Sequence, residues 1–186
     1  MLVLLLGVSC VGKTSLIQDL KNSFGWLSVC TYMTREIRLG ETEKISITND
    51  FFMQMDAEKY FLCVNEFFGN KYGTPRTEIE IAVKDKDRYW MLDFPISKRY
   101  ILEEYDYIPI VILASDKIQL IDQIIKSNRS NRLEYILNEY EDHYVKYHEF
   151  IDKENTDIVI VNYPDQLKET SLKIYNKVIN SHECSK

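Results

Sequence analysis

Residues 7–14 read Gly-Val-Ser-Cys-Val-Gly-Lys-Thr and match the pattern G-x-x-x-x-G-K-[ST] at every fixed position. The apolar run Leu2–Leu6 precedes this stretch and an amphipathic segment follows it from Lys13, which is the strand–loop–helix setting of a phosphate-binding loop. Glycines let the backbone turn its N–H groups around phosphate oxygens, and the N-terminus of a helix adds a positive partial charge. Residues 7–14, called the phosphate loop below, therefore predict a site for a nucleoside triphosphate.

Two residues of the phosphate loop have predicted roles in chemistry. Lys13 is expected to reach the β- and γ-phosphates, and the Thr14 hydroxyl is expected to face Mg²⁺ as the metal-binding group. The predicted cofactors are therefore ATP and Mg²⁺. The residues predicted to bind ATP are Gly7, Ser9, Cys10, Val11, Gly12, Lys13, Thr14 and Ser15.

The composition of the chain restricts its class and its partners. The 186 residues are 45% hydrophobic, which predicts one folded domain. A net charge of −6 argues against a nucleic-acid partner, and no apolar run is long enough to span a membrane. The cysteines lack C-x-x-C spacing, which favours reduced thiols in a cytoplasmic protein. They are Cys10, Cys30, Cys63 and Cys184.

Apolar runs of strand length alternate with helical patterns along the chain, which is typical of an α/β protein with a parallel sheet. The predicted core strands are 2–6, 26–30, 89–92, 108–113 and 157–161. The predicted helices are 13–23, 97–104, 117–126, 130–151 and 165–180. Between about 31 and 88 the patterns become shorter and more aromatic, which predicts an inserted substrate-binding lobe in a single domain whose core is 1–30 and 89–186.

Two clusters in the predicted lobe carry groups that suit a phosphorylated substrate. Residues 34–41, Thr-Arg-Glu-Ile-Arg-Leu-Gly-Glu, hold Arg35 and Arg38 three positions apart. Two guanidinium forks suit a phosphate dianion, and the alternative is a pair of solvated surface arginines. Residues 69–75, Gly-Asn-Lys-Tyr-Gly-Thr-Pro, place a phenol and a hydroxyl on a tight turn.

In this order and spacing, the phosphate loop, the arginine pair and the Tyr-Gly-Thr turn resemble the guanylate kinase family. Leu92-Asp93 at a strand end and residues 159–162, Val-Ile-Val-Asn, extend the resemblance over most of the chain. The resemblance implies a three-layer P-loop kinase fold with a central parallel sheet, an inserted acceptor-binding lobe and a short lid at about 126–133. It also implies ATP-dependent phosphoryl transfer to a small phosphorylated acceptor.

By the same resemblance, Arg35, Arg38 and Tyr72 hold the phosphate of the acceptor, while Thr31 and Thr74 lie near its base. Asp93 orders Mg²⁺-bound water or touches the ribose of the acceptor, and the alternative is a polar residue that ends a strand. The lid would supply arginines to the transferring group, although exposed arginines are also common in turns between helices. The catalytic residues implied are Lys13, Arg129 and Arg132.

The chain departs from the family pattern where the base of the acceptor would be read. In the family a glutamate reads guanine, and here that position is Cys63, whose thiol cannot accept paired hydrogen bonds as a carboxylate does. Glu66 is expected on the opposite face of the strand. A second phosphate-binding tyrosine is absent, and only Lys44 or Ser46 is available nearby. The identity of the acceptor therefore stays open.

Three functions remain as alternatives. The first is a nucleoside monophosphate kinase of guanylate kinase type. The second is a kinase for another phosphorylated metabolite such as a ribose bisphosphate, which the loss of a glutamate at Cys63 favours. The third is a non-catalytic binding module that recognises a partner peptide, and the intact Gly12, Lys13 and Thr14 count against it.

Residues 134–149 combine acidic and aromatic residues at helical spacing. This pattern predicts an amphipathic helix whose acidic face, including Glu134, Glu139 and Glu141, is solvated. Paired-carboxylate catalysis is not expected there. The apolar face is available to pack on a second subunit, so a homodimer is a further hypothesis.

Overall fold

The computed structural model describes residues 1–38, 40–148 and 158–183. Its strands are β1 (Leu2–Leu6), β2 (Leu27–Ser28), β3 (Thr31–Met33), β4 (Lys44–Ser46), β5 (Phe61–Phe67), β6 (Asn70–Pro75), β7 (Trp90–Asp93), β8 (Tyr107–Ala114) and β9 (Ile158–Asn162). Its α-helices are α1 (Lys13–Phe24), α2 (Asn49–Ala57), α3 (Arg76–Lys84), α4 (Lys117–Lys126), α5 (Leu133–His148) and α6 (Leu167–Glu183). Short 3₁₀ helices cover Ile96–Leu102, Ser130–Arg132 and Pro164–Gln166.

The central sheet is parallel and has the strand order β2-β7-β1-β8-β9. β1 lies in the middle, where Leu4 pairs with Leu92 of β7 and with Pro109 of β8. All five residues of β1 are fully buried, as expected for a strand that is covered on both faces. The carboxyl end of β1 leads directly into the phosphate loop.

Alternation along β1 divides the core into two apolar layers. Val3 and Leu5 face a layer formed by α1, α4 and α6, to which Leu20 and Ile124 contribute. Leu2, Leu4 and Leu6 face the opposite layer, where Ile79 and Ala82 of α3 and Leu102 pack. Helices therefore cover both faces of a central parallel sheet, which confirms the predicted three-layer α/β fold.

A second sheet forms within the segment predicted as the inserted lobe. Its order is β4-β3-β6-β5, with β3 and β4 parallel and the other pairs antiparallel. On one face of the sheet Phe52 and Met55 of α2 pack with Phe61. Thr48 caps α2 by accepting a hydrogen bond from the N–H of Phe51 at 3.3 Å. The opposite face of this sheet is left to the site described below.

Most predicted elements are present, and a few differ in their bounds or type. The predicted strand 26–30 is reduced to Leu27–Ser28, which pair with Trp90 and Met91 of β7, and Val29 adds a backbone hydrogen bond to Met91 at 2.9 Å. The predicted α-helix 97–104 is a 3₁₀ helix, Ile96–Leu102, which begins directly after Pro95.

The predicted helix 130–151 begins with the 3₁₀ turn Ser130–Arg132 and becomes α-helical at Leu133. Its predicted end, residues 149–151, and the predicted start of the last strand at 157 lie outside the described residues, as does Cys184. Cys10, Cys30 and Cys63 are free thiols. Within the described ranges, no helix has the length and apolar character that crossing a membrane requires.

Candidate active site

The phosphate loop is held between the carboxyl ends of β1, β8 and β9. A Cβ atom on Gly7, at φ +149°, would lie 2.5 Å from the carbonyl oxygen of Ile112 in β8. A Cβ atom on Gly12, at φ +98°, would lie 2.5 Å from Nδ2 of Asn162 in β9. Only glycine fits either position, so the loop follows a tight path that turns into the N-terminus of α1 at Lys13.

Asn162 anchors the phosphate loop from behind. Its Nδ2 donates a hydrogen bond of 2.8 Å to the carbonyl oxygen of Val11, and its side chain is buried. Val11 itself is 1% exposed and its side chain packs in the apolar layer with Val8. Val11 therefore belongs to the loop through its backbone, while its side chain faces the core.

Lys13 lies inside the curve of the phosphate loop. Its Nζ donates hydrogen bonds to the carbonyl oxygens of Gly7 at 2.5 Å and Val8 at 2.8 Å. The same atom lies 3.7 Å from Oδ1 of Asp93 at the end of β7. The ammonium group is thus fixed at the mouth of the loop, where a bound phosphate would meet it.

A cavity of about 860 Å³ extends from the phosphate loop to the second sheet. It brings together residues that are distant in the sequence and that come from the loop, the second sheet, the end of β7 and the segment around residue 130. The sequence-predicted site residues that line it are Gly7, Ser9, Cys10, Gly12, Lys13, Thr14, Ser15, Thr31, Arg35, Arg38, Tyr72, Thr74, Asp93, Arg129 and Arg132. Among the predicted site residues, the cavity lining leaves out Val11.

Arg35 is fixed in place on the far side of the cavity from the phosphate loop. Its guanidinium donates to both carboxylate oxygens of Glu41, at 2.7 and 2.6 Å, and its Nε donates to the Tyr72 hydroxyl at 3.2 Å. Burial acts to lower the pKa of Arg35, but these hydrogen bonds outweigh it and raise the pKa. Because the Tyr72 oxygen accepts from Arg35, its proton is free to point into the cavity.

Arg38 lies among other positively charged side chains. Burial and the charges of Arg129, Arg35 and Arg132 lower the pKa of Arg38, and the Glu41 carboxylate acts in the opposite direction. Guanidinium groups from the second sheet and from the segment after α4 thus converge and repel one another. Such an arrangement favours an anion between them.

The two arginines after α4 contact opposite ends of the cavity. Arg129 donates from Nη1 to Sγ of Cys10 in the phosphate loop at 3.2 Å. Arg132 stacks on Phe68, with its Cζ 4.6 Å from the ring centroid, and lies 5.5 Å from that of Phe67. Tyr135 of α5 packs edge-on against the same two rings. We call Phe67, Phe68, Arg132 and Tyr135 the aromatic clasp.

The floor of the cavity follows from the strand register of the second sheet. Thr31 pairs with Lys44 in β4, and Thr74 pairs with Cys63 in β5. Tyr32 pairs with Gly73, so Thr31 and Thr74 are also neighbours. Directly paired residues point to the same face of a sheet. One row therefore runs across the sheet through Lys44, Thr31, Thr74 and Cys63, which we call the floor row. The first three line the cavity, while Cys63 is buried at the end of the row in an apolar layer of the core.

Glu139 reaches the phosphate loop, which corrects the prediction that the whole acidic face of this helix is solvated. It is partly buried in the cavity lining and accepts a hydrogen bond from the backbone N–H of Ser9. Burial raises the pKa of Glu139, while Lys13 and the Ser9 N–H act to lower it. Glu139 lies one helical turn after Tyr135, which lines the same cavity, so its place could be predicted from the sequence only once the phase of the helix is known.

Other residues of the cavity were not predicted as site residues. Lys98 comes from the 3₁₀ helix after β7, and Glu41 was quoted only as part of a motif. Glu66, expected on the opposite face of β5, lies at the rim of the cavity and is exposed. In the described ranges, no group of three or more His, Cys, Asp or Glu is arranged to hold a metal ion.

A phosphate loop at the end of the central strand of such a sheet is typical of proteins that bind nucleoside triphosphates through this loop. The guanylate kinase family model matches residues 1–181. The chain therefore belongs to the guanylate kinase family.

Individual relatives agree with this family, and a solved structure agrees with the fold. A guanylate kinase from Clostridium perfringens (strain SM101 / Type A) is 29% identical over 175 residues, which cover 90% of this chain and 79% of that protein. One from Thermobifida fusca is 37% identical over 83 residues, or 42% of each chain. The crystal structure of guanylate kinase from Anaplasma phagocytophilum matches with a TM-score of 0.68 at 22% identity, covering 97% of this chain and 85% of that one, which supports the fold.

Proposed function

We propose that this protein transfers the γ-phosphoryl group of ATP to the phosphate group of a nucleoside monophosphate. The observation that carries the proposal is the convergence of Arg35, Arg38, Arg129 and Arg132 across one cavity from Lys13. Two anions, a donor and an acceptor, would relieve the repulsion among these groups. Phosphoryl transfer needs such an arrangement, because it depends on alignment and charge stabilisation.

The donor side is supported by the geometry of the phosphate loop. The loop amides and the Lys13 ammonium, which two carbonyl groups hold in place, would stabilise negative charge on the β- and γ-phosphates. The hydroxyl of Thr14 and the carboxylate of Asp93 line the same cavity and are oxygen ligands of the type that Mg²⁺ prefers. When bound, Mg²⁺ neutralises charge that develops on the phosphate oxygens.

On the acceptor side, Glu41 orients Arg35, and Arg35 orients Tyr72. Arg38 and the Tyr72 hydroxyl would then hold the acceptor phosphate so that one of its oxygens faces the donor. Arg129 and Arg132 would cover the transferring group and exclude water, which would otherwise hydrolyse ATP. Each of these residues binds, orients or shields, and none has to transfer a proton.

A second candidate is a kinase for another phosphorylated metabolite, such as a ribose bisphosphate. Cys63 favours the second candidate, because the floor row has a buried thiol, 3% exposed, at the position where a carboxylate would read guanine. Both candidates share the phosphate-binding residues and differ only in what the rest of the acceptor presents. A binding module without catalysis has less support, because the Lys13 contacts of a phosphate loop are intact.

The proposal is tested by measuring ATP-dependent phosphorylation of a panel of nucleoside monophosphates and sugar phosphates. Lys13→Met should reduce kcat by about 100-fold or more, the size seen when one charge-stabilising donor is lost. Arg38→Met should raise KM for the acceptor far more than KM for ATP.

Lys86→Met is the matched control, because Lys86 is 57% exposed and pairs with Asp106 outside the cavity. Wild-type turnover in Lys13→Met would refute the donor assignment. Equal losses of ATP and acceptor binding in Arg38→Met would contradict two separate phosphate sites.

A further inference from the structure

The floor row carries positive charge at both of its ends. At the β4 end, Lys44 donates from Nζ to the hydroxyl of Thr31 at 3.5 Å. At the β5 end, Lys98 lies close enough for its charge to lower the pKa of the Cys63 thiol, against burial, which raises it more. The 3₁₀ helix that carries Lys98 packs against β5 and also lines the cavity.

The chemistry of this surface is that of a hydrogen-bond donor. An ammonium group has three donors and no acceptor, a hydroxyl can serve as either, and a thiol accepts only weakly. Guanine presents two adjacent donors, N1–H and the amino group, along the edge that a carboxylate would read. Against Lys44 and Lys98 these donors would find no carboxylate, only hydroxyls and the single amide oxygen of Asn65, whose Nδ2 contacts Sγ of Cys63. Burying donors that remain unpaired is costly.

The nearby carboxylates of the cavity are engaged elsewhere. Glu41 is bound to Arg35, Asp93 lies 3.7 Å from Lys13, and Glu139 accepts from the N–H of Ser9. Glu66 lies at the exposed rim. None of these four belongs to the floor row, which holds two buried threonines between its ends.

We propose that Lys44 and Lys98 bind oxygen atoms at the end of the acceptor that is remote from its phosphorylated group. These oxygens are either anionic, as in the second phosphate of a bisphosphorylated pentose, or carbonyl oxygens, as in the uracil of UMP. Either chemistry is complementary to a row of donors, whereas the donor edge of guanine is not. This inference rests on the proposed function, since it concerns the acceptor site of the same reaction.

The test measures both binding by calorimetry and turnover with ATP for three acceptors, namely GMP, UMP and ribose 1,5-bisphosphate. The wild type should bind UMP or the bisphosphate at least about tenfold more tightly than GMP, since a mismatched polar group discriminates strongly. Lys44→Met and Lys98→Met should each weaken binding of that preferred acceptor by about tenfold, weaken GMP binding less, and leave ATP binding unchanged. If these variants lose affinity for the bisphosphate, the lysines bind anionic oxygens; if they lose affinity for UMP, the lysines bind carbonyl oxygens.

Lys71→Met is the matched control, because Lys71 lies on β6 with its Nζ directed at Met53 of α2 and away from the floor row. GMP binding more tightly than the other two acceptors, or equal effects of Lys71→Met and Lys44→Met, would overturn the inference while leaving phosphoryl transfer intact. Binding of the preferred acceptor without turnover would refute the proposed function and leave the inference standing. If none of the three acceptors binds, the inference is wrong.

Discussion

At the scale of single residues, Glu139 has an unusual position for an acidic side chain. It places a carboxylate against the backbone of a loop that is suited to bind phosphate, beside Lys13 and within reach of the Asp93 charge. Because burial raises its pKa above the ordinary value of 4.5, the ionised form is disfavoured in the folded protein. The proton on Glu139 is thereby linked to stability.

The Glu139→Gln variant should therefore show a different dependence of stability on pH. Between the ordinary pKa of glutamate and its raised value, the folded state of the wild type binds more protons than the unfolded state, so stability falls as the pH rises. Glutamine keeps an acceptor for the Ser9 N–H but does not titrate. As the pH rises from about 4.5 through that window, the free energy of unfolding of the wild type should fall, while that of the variant should not show this fall. The difference between variant and wild type should therefore increase in favour of the variant.

Urea unfolding at several pH values measures this difference. Glu134→Gln is the control, because Glu134 lies on the same helix and is exposed. Parallel pH curves for the wild type and Glu139→Gln would show that Glu139 does not titrate with a raised pKa.

At the scale of elements, the phosphate loop depends on the two strand ends that flank it. Gly12 has no room for a side chain because Asn162 at the end of β9 fills that space while it anchors Val11. The loop therefore has its shape only when α1, β8 and β9 are already packed around the central sheet.

Gly12→Ala should destabilise the protein by more than backbone strain alone. A positive φ costs a non-glycine residue about 1–2 kcal/mol, and here the new methyl group also meets Asn162 at 2.5 Å. Gly25→Ala is the matched control, with φ +69° and no atom within 4 Å of the added Cβ, so it should show the strain only.

Chemical denaturation compares the two variants. Adding Asn162→Ala to Gly12→Ala should recover part of the loss, because it removes the clashing side chain. A Gly12→Ala variant that is no less stable than Gly25→Ala would contradict the role of Asn162.

How far the sequence predicts this protein depends on how local each signal is. The strand Leu2–Leu6 and the helix Lys117–Lys126 have the predicted bounds, because a continuous apolar run and an Asp116 cap are local features. Glu139 and the floor row depend on helix phase and strand register instead. Pairing of Lys44 with Thr31, and of Thr74 with Cys63, joins positions too far apart for local patterns to relate.

At the scale of the whole molecule, the aromatic clasp connects the second sheet to the helical layer across the opening of the cavity. Phe68 and Tyr135 are about half exposed, and their ring centroids lie 5.5 Å apart in an edge-on arrangement. A contact between two separate layers at this place limits how far the acceptor-binding side can move away from the phosphate loop.

A double-mutant cycle with Phe68→Ala and Tyr135→Ala should give a coupling energy of about 0.5–1.5 kcal/mol in unfolding measurements. Phe68→Ala should also raise KM for the acceptor, because it removes a contact that holds the second sheet near the phosphate loop. Phe51→Ala, a change at a similarly exposed phenylalanine on α2, is the control. Strict additivity of the two single variants would show that the contact between Phe68 and Tyr135 contributes nothing to stability.

Ligand binding offers a measurement on the molecule as a whole. ATP at 100 times its Kd should stabilise the fold by about 2.7 kcal/mol. Lys13→Met should lose most of that stabilisation and keep the stabilisation by the acceptor, while Arg38→Met should show the reverse. Thermal unfolding with each ligand alone checks this pattern, and identical losses in both variants would contradict independent sites.

The central position of β1 also has a consequence during synthesis of the chain. β1 is made before both of its partners, because β7 begins only at Trp90 and β8 only at Tyr107. Until about residue 93 has left the ribosome, these five consecutive apolar residues have no native neighbour on either edge, and the edge that pairs with β8 stays open until about residue 111. Such non-local pairing slows folding and leaves an aggregation-prone strand open on the nascent chain. The strand that presents the phosphate loop is therefore an aggregation-prone segment of the nascent chain until its two partner strands have been made.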